Sequence, residues 1–297
     1  MQIAVAICES RVYNGGVKYE GIVTGFVTKG GKMTRTISTS MAGVLERLEL
    51  ERPTVVTSEM LSHILREEGI QTPTRIVASR LRERGWLLPT TSRGVWEFAP
   101  ASYSGAFSSN DPLLPIKAFI SKNNDVNFGL TFQSSAWMHG VADRVPAHLE
   151  VAVGNAHTSG ILPEGVSASI FTPHLAYETI KGIPVLSPES VIVHMATKPR
   201  AVRSWQSALE WLPDLAGLLK VALVQEEILG RSNAVIARTG YLLQGMRPDV
   251  AETLFKKNTP SCKTWFGPRV PLLRHDNKWL IADTLLPFNP REMEVSV

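Results

Sequence analysis

Four arginines fall within ten positions of one segment, "TPTRIVASRLRERGWL" (Thr72–Leu87), with Glu83 the single acid among them. At 100° per residue, Arg75, Ser79 and Arg82 share one face of a helix, and Val77 and Leu81 lie opposite. Arg80 and Arg84 flank the apolar side, where their stems can run over hydrophobic surface while the heads reach outward. A guanidinium is a planar fork. It meets guanine O6 and N7 in a DNA major groove, or grips a phosphate by two bonds. Thr72, Thr74 and the free N–H groups of the helix start suit a phosphate as well. Arg93 lies a few residues further on, at the tip of an expected hairpin. From Gln71 to Gly94 five arginines face one acid, a local excess of four that equals the formal charge of the whole 297-residue chain, +4. A solvated face paired with Glu67, Glu68, Glu83 and Glu97 is the bland alternative.

The elements that must position these residues are legible around them. Residues 38–50 place Val44, Leu45 and Leu48 at helical spacing. Pro53 breaks the chain. Thr57 or Ser58 can cap a second helix with an apolar face of Met60, Leu61, Ile64 and Leu65, ended by Gly69. Thr72 is expected to cap the third helix, with Pro73 at its first position and Gly85 as its stop. Trp86–Leu88 and Val95–Phe98 then read as strands around a polar tip, Pro89–Gly94. Three helices and a hairpin in this order are a winged helix-turn-helix.

The "ASYSGAFSSNDPL" stretch, residues 101–113, reads as a linker, and helical and strand patterns alternate beyond it. The layout is therefore α+β: a winged helix-turn-helix over 34–100, then a larger mixed α+β domain over 114–297. Residues 1–33 form an N-terminal extension with two short strands around Asn14-Gly15. The Lys-Gly-Gly-Lys before Met33 can be encoded by a purine-rich stretch resembling a bacterial ribosome-binding site. The expectation is that Met33 is the natural start and that the extension is an over-extended reading frame; a genuine N-terminal hairpin is the rival.

Other chemistries find little support. Hydrophobic residues at 44% and charged residues at 20% are those of a soluble globular protein, and no apolar run reaches the ~18 residues that span a bilayer. A cytoplasmic location without a membrane partner is expected. Cys8 and Cys262 make no CxxC pattern. The seven histidines lack HxxxH spacing, so no metal is expected. His139 and His194 read as packed or hydrogen-bonded. The sequence has no GxSxG elbow, GxxxxGK[ST] or GxGxxG. No cofactor is expected, and no catalytic residues are assigned. Asp125, Asp143, Glu150 and Glu164 form no DxD pair for nucleotidyl transfer.

Several stretches together resemble the AbiEi-type antitoxins of type IV toxin–antitoxin systems. "ASRLRERGWLLPTTSRGVWEFAP" is similar to the family's recognition helix and wing. "SSAWMHGVADRVPAHLEVAV" is similar to its helix-then-strand segment. "GIPVLSPESVIVHMATKP" is similar to its strand, Ser-Pro turn and helix, and "ARTGYLLQGM" to a late helix. The resemblance runs from about Met41 to about Met246. It implies a winged helix bound to inverted repeats in double-stranded DNA at the protein's own promoter, as an autorepressor. It also implies a second domain resembling a catalytically inert nucleotidyltransferase, which counteracts a nucleotidyltransferase-like toxin without a stable complex. By the motif match, DNA contact falls on Arg75, Ser79, Arg82, Arg84 and Arg93; the helix reading above adds Thr72, Thr74 and Arg80 to the expected DNA-binding residues. The alternatives are a nucleic-acid-modifying nucleotidyltransferase and a ligand-sensing transcriptional regulator.

Overall fold

The computed structural model describes residues 39–102, 108–123 and 126–294, together with four two-residue strands ahead of them. Strand β1 (Tyr13–Asn14) pairs antiparallel with β2 (Val17–Lys18), and β3 (Val23–Thr24) with β4 (Arg35–Thr36). Met33 lies outside the described residues, as do 103–107 of the expected linker. The chain divides into two compact units, Met1–Asn124 and Asp125–Val297.

In the first unit, α1 (Thr39–Glu51) buries Val44, Leu45 and Leu48, as their spacing predicts. Strand β5 (Val55–Thr57) leads directly into α2 (Ser58–Glu67). The Thr57 hydroxyl caps α2, accepting from the Met60 N–H at 3.1 Å. Helix α3 spans Thr74–Glu83. Its cap corrects the expectation: Pro73, extended at φ −54°, ψ 135°, is the cap residue, and no side chain caps the helix. The Pro73 carbonyl takes the first helical bonds, from Ile76 and Val77. The helix thus starts one residue late, and Thr72 stays outside it.

Both α2 and α3 end in the same way. Gly85 is left-handed at φ 72°, and the Trp86 N–H reaches back to the Leu81 carbonyl at 2.9 Å while Gly85 bonds Arg82. Gly69 and Ile70 repeat the pattern on Arg66 and Leu65. These are six-to-one closures that place an apolar residue just past each helix against its last turn. Trp86 and Leu81 are both buried in consequence. The chain then enters β6 (Leu87–Pro89) and β7 (Val95–Phe98). Strand β7 is central in a three-stranded antiparallel sheet, pairing with β6 through Leu87↔Phe98 and with β5 through Thr57↔Val95. Helix α4 (Leu114–Ile120) packs on β5 and β7.

The second unit is mixed α+β. Strand β8 (Phe128–Leu130) precedes α5 (Phe132–Met138), β9 (Leu149–Val153), α6 (Ala156–Gly160), β10 (Val166–Ile170), β11 (Glu178–Ile180) and β12 (Ile183–Val185). The five strands form one sheet in the order β10-β9-β8-β12-β11. Within it β10 runs parallel to β9 and β12 to β8, and the other two pairs are antiparallel. Helix α7 (Pro188–Thr197) begins where the Ser-Pro signal places it, with the Ser187 hydroxyl accepting from the Ser190 N–H. Two short helices follow, α8 (Trp205–Ala208) and α9 (Leu212–Gly217), the latter with Pro213 in its first turn. Helices α10 (Val221–Ile228), α11 (Asn233–Leu243) and α12 (Pro248–Lys257) follow, then strands β13 (Thr264–Phe266), β14 (Arg274–Asp276) and β15 (Ile281–Asp283) in the order β13-β15-β14. A Cβ on Gly240 would sit 2.0 Å from the ring of the fully buried Trp279, so only glycine allows α11 to lie there.

Candidate nucleic-acid interface

The buried stripe of α3 (Val77, Ala78, Leu81) seats it against the rest of the first unit. Truncating a fully buried leucine such as Leu81 removes about 2–5 kcal/mol, so the orientation of this helix is firmly set. The opposite face is turned to solvent, with Arg75, Ser79 and Arg82 all exposed. The hairpin folds alongside. Its tip is braced from within, because the Thr90 hydroxyl donates to the Val95 carbonyl at 2.8 Å. From α2, the N–H and hydroxyl of Ser58 both donate to the Gly94 carbonyl, at 3.0 and 3.2 Å.

Between α2, α3 and the hairpin runs a groove of about 900 Å³. Thr74, Arg75, Ser79, Arg82 and Arg93 line it together, and α2 adds Arg66. Its four arginines face one acid, Glu59. The structure does not bring Thr72, Arg80 or Arg84 to this lining. Arg80 is exposed outside it. Arg84 is half-buried, with its Nη1 enclosed and without a hydrogen-bond partner. The solvated-face alternative needs acids for these arginines. Glu67 instead pairs with Arg47 and His63, Glu83 accepts from the Ser79 hydroxyl at 3.0 Å, and buried Glu97 accepts from the Ser109 N–H. Among the described residues, no ion pair engages Arg66, Arg75, Arg80, Arg82, Arg84 or Arg93.

Arg66 was not found from the sequence. In one dimension it is an ordinary last-turn cation of α2; only the crossing of α2 over α3 carries it to the groove. Ser79 lies on the exposed face, and its hydroxyl donates to Glu83, four residues on, so the two act as one polar unit.

The polar groups of the second unit are arranged differently. His194 is fully buried between the rings of Phe132 and Phe171, with centroids at 4.4 and 4.3 Å. Its Nδ1 meets the Thr131 hydroxyl at 2.8 Å and its Nε2 the Ser169 hydroxyl at 2.9 Å. Burial, with Arg231 and Lys198 nearby, lowers its pKa to about 3, so it is neutral. Glu150 on β9 is pushed up to about 7 by burial, against the N–H of Gln133, which it accepts at 3.1 Å. Glu227 accepts from the His174 and Leu175 N–H groups, the Ser190 hydroxyl and Arg231. His139, expected to be hydrogen-bonded, meets the Leu186 carbonyl at 3.0 Å. Among the described residues, no three His, Cys, Asp or Glu side chains come together in a way that holds a metal ion.

The chain is thus a two-unit α+β protein, with an exposed basic groove on one unit and buried, hydrogen-bonded His194 and Glu227 in the other. The comparisons narrow this. Residues 127–245 match the family described as the AbiEi antitoxin C-terminal domain, so the second unit carries an AbiEi-type antitoxin domain. A role as the antitoxin of a toxin–antitoxin pair goes with that domain. The fold is shared with the crystal structure of the RV2827C protein from Mycobacterium tuberculosis, at a TM-score of 0.69 and 24% sequence identity, covering 88% of this chain and 97% of that one. No curated protein matches the chain. No helix among the described residues is long and apolar enough to cross a membrane.

Proposed function

We propose that this antitoxin belongs to a type IV system and represses its own transcription. Residues 34–100 act as a winged helix-turn-helix, with α3 in the major groove of double-stranded promoter DNA, at inverted repeats, and the hairpin tip against the backbone. The larger domain, expected from residue 114 after a linker over 101–113, is assigned to the second unit, Asp125–Val297, because α4 packs on β5 and β7; it resembles a nucleotidyltransferase without its catalytic carboxylates. It counteracts a nucleotidyltransferase-like toxin without forming a stable complex and without catalysis of its own. The setting is the cytoplasm.

The observation that carries the DNA reading is the groove. Arg66, Arg75, Arg82 and Arg93 converge there from three elements with no acid paired to any of them among the described residues. Unpaired arginines kept in water at close range repel one another, and a polyanion relieves that repulsion while releasing its own counterions. Thr72 and Thr74 supply neutral donors beside the helix start, Ser79 meets DNA only by giving up its bond to Glu83, and exposed Arg80 flanks the helix within reach of the backbone, with half-buried Arg84 behind it.

The test is a gel shift on a duplex from the gene's upstream region. Arg75→Ala and Arg82→Ala should each weaken binding about tenfold or more, while the same variants still neutralise the toxin when supplied in trans. Unchanged affinity in both would reject the placement of α3 on DNA. Loss of neutralisation with retained DNA binding would reject the division of labour between the units.

A further inference from the structure

The chain beyond the hairpin returns to it. Buried Glu97 on β7 takes the Ser109 N–H at 2.6 Å. Asp111 then takes the Leu113 N–H at 2.9 Å and the Lys117 ammonium at 2.7 Å. Helix α4 lies on β5 and β7, and Lys122, two residues past its end, donates to the carbonyl of Arg93. The Lys122 Nζ stands 3.8 Å from the position a Cβ would take on Gly94.

The tip is therefore held from three directions: by Thr90 from within, by Ser58 of α2 at Gly94, and by Lys122 at Arg93. The first two fix the turn. The third acts on the Arg93–Gly94 peptide, while the Ser92–Arg93 peptide before it is held at the Ser92 carbonyl by the Thr90 hydroxyl and the Val95 N–H. A bond from an ammonium is roughly twice as strong as a neutral one. It sets the tilt of a peptide whose side chain is long and otherwise unrestrained. Among the described residues, no acid pairs with Lys122 to compete for it.

We propose that Lys122 is a positioning residue for DNA binding. Its ammonium fixes the Arg93 peptide so that the guanidinium enters the groove beside Arg75 and Arg82. The consequence is that the determinants of DNA binding do not end with the hairpin at Phe98 but include Lys122, past the end of α4. This inference rests on the DNA-binding reading above.

The experiment uses the full chain and a labelled duplex of the gene's upstream region, with a scrambled duplex at low salt as the second probe. Lys122→Met keeps the stem and removes the ammonium. It should weaken binding to the upstream duplex about fivefold, and Lys122→Arg, which can still donate to the carbonyl, should restore most of it. In an Arg93→Ala background, Lys122→Met should change affinity less than about twofold, because the arginine it positions is gone. Melting temperatures of all variants should match the parent, which separates positioning from unfolding. If the Lys122 and Arg93 effects instead multiply, Lys122 contacts DNA on its own and positioning is overturned. If Lys122→Met does nothing while Arg75→Ala and Arg82→Ala abolish binding, the inference falls and the DNA reading stands. If Lys122→Met, Arg93→Ala, Arg75→Ala and Arg82→Ala all leave binding to both duplexes unchanged, the DNA reading falls and takes this inference with it.

Discussion

In the first unit Arg66, Arg75, Arg82 and Arg93 stand in water around a groove with no acid paired to them among the described residues. In the second, Arg231, Arg247 and Arg274 are largely covered, at 13%, 18% and 31% exposure, and each is bound to a carboxylate. Arg247 also donates to the carbonyls of Ala216 and Leu219, and Arg274 reaches the fully buried Asp283, which takes the Tyr241 hydroxyl and the Leu285 and Leu286 N–H groups besides. The same residue type thus does two jobs. Where an arginine is desolvated, its charge must be matched inside the protein or the fold loses several kcal/mol. Where it is left exposed and unmatched, it contributes little to stability and is available to a partner. Substitutions should therefore separate the two units cleanly, one through melting and the other through DNA affinity.

The largest effect should come from the second unit. Asp283→Ala leaves the Tyr241 hydroxyl and Arg274 without their shared acceptor, a loss of about 3–5 kcal/mol. Its melting temperature should drop by about 10 °C, while the folded fraction binds DNA as before. Weakened DNA binding in that fraction would break the comparison.

Next comes the groove. Arg75→Ala with Arg82→Ala removes two exposed guanidinium groups and should cost about 2–4 kcal/mol of specific binding, with the melting temperature unchanged. A fall in stability of similar size would mean that these arginines serve the fold after all.

A smaller effect should appear as pH dependence confined to the second unit. Glu150 keeps its proton in the fold up to about pH 7 against an ordinary 4.5, so the folded state binds more protons than the unfolded chain between those values. Its contribution to stability is present below pH 4.5 and is lost as pH rises through 7. His194 works in reverse: neutral in the fold down to about 3, it favours folding above its unfolded value near 6.5 and less so as pH falls. Glu150→Gln should raise stability at pH 8 by on the order of 1–3 kcal/mol, seen as a higher melting temperature, and leave it alone at pH 4. The same shift at both pH values would remove Glu150 as the source. The smallest effect belongs to Arg66→Ala, expected to lower DNA affinity by about 1 kcal/mol whatever the sequence of the duplex, as a backbone contact does.

Much of the first unit is legible because its signals are local. Val77 and Leu81 give the buried stripe, Thr57 a cap hydroxyl, and Gly69 and Gly85 the left-handed stops; each works within four residues of its partner. What sequence misses there is long-range. Strand β5 is three residues whose only reason to extend is β7, some forty positions away. Arg66 and Lys122 meet the groove only after α2 and α4 have packed. The start of α3 slipped by one residue because Pro73, fixed in φ and extended in ψ, takes the cap position from Thr72. In the second unit the helix at Ser187-Pro188, the strand before it and the strand Leu149–Val153 are legible, and α12 carries its own signals in Pro248, Asp249 and the buried Val250, Ala251 and Leu254, but the edge strand β11, three residues long, carries no alternation strong enough to announce it. The free state of the arginines is not legible at all: whether Glu67 or Glu97 satisfies Arg75 or Arg82 is decided by where α1 and Ser109 lie.

The salt dependence of DNA binding tests the central claim most directly. The slope of log affinity against log salt should be measured by fluorescence anisotropy for the parent, Arg75→Ala, Arg82→Ala, Arg93→Ala and, from the second unit, Arg238→Ala. Each groove arginine that neutralises a phosphate should reduce the slope by about 0.9, and Arg238, which donates to the Trp265 carbonyl, should leave it unchanged. Equal slopes in all five proteins would contradict the account.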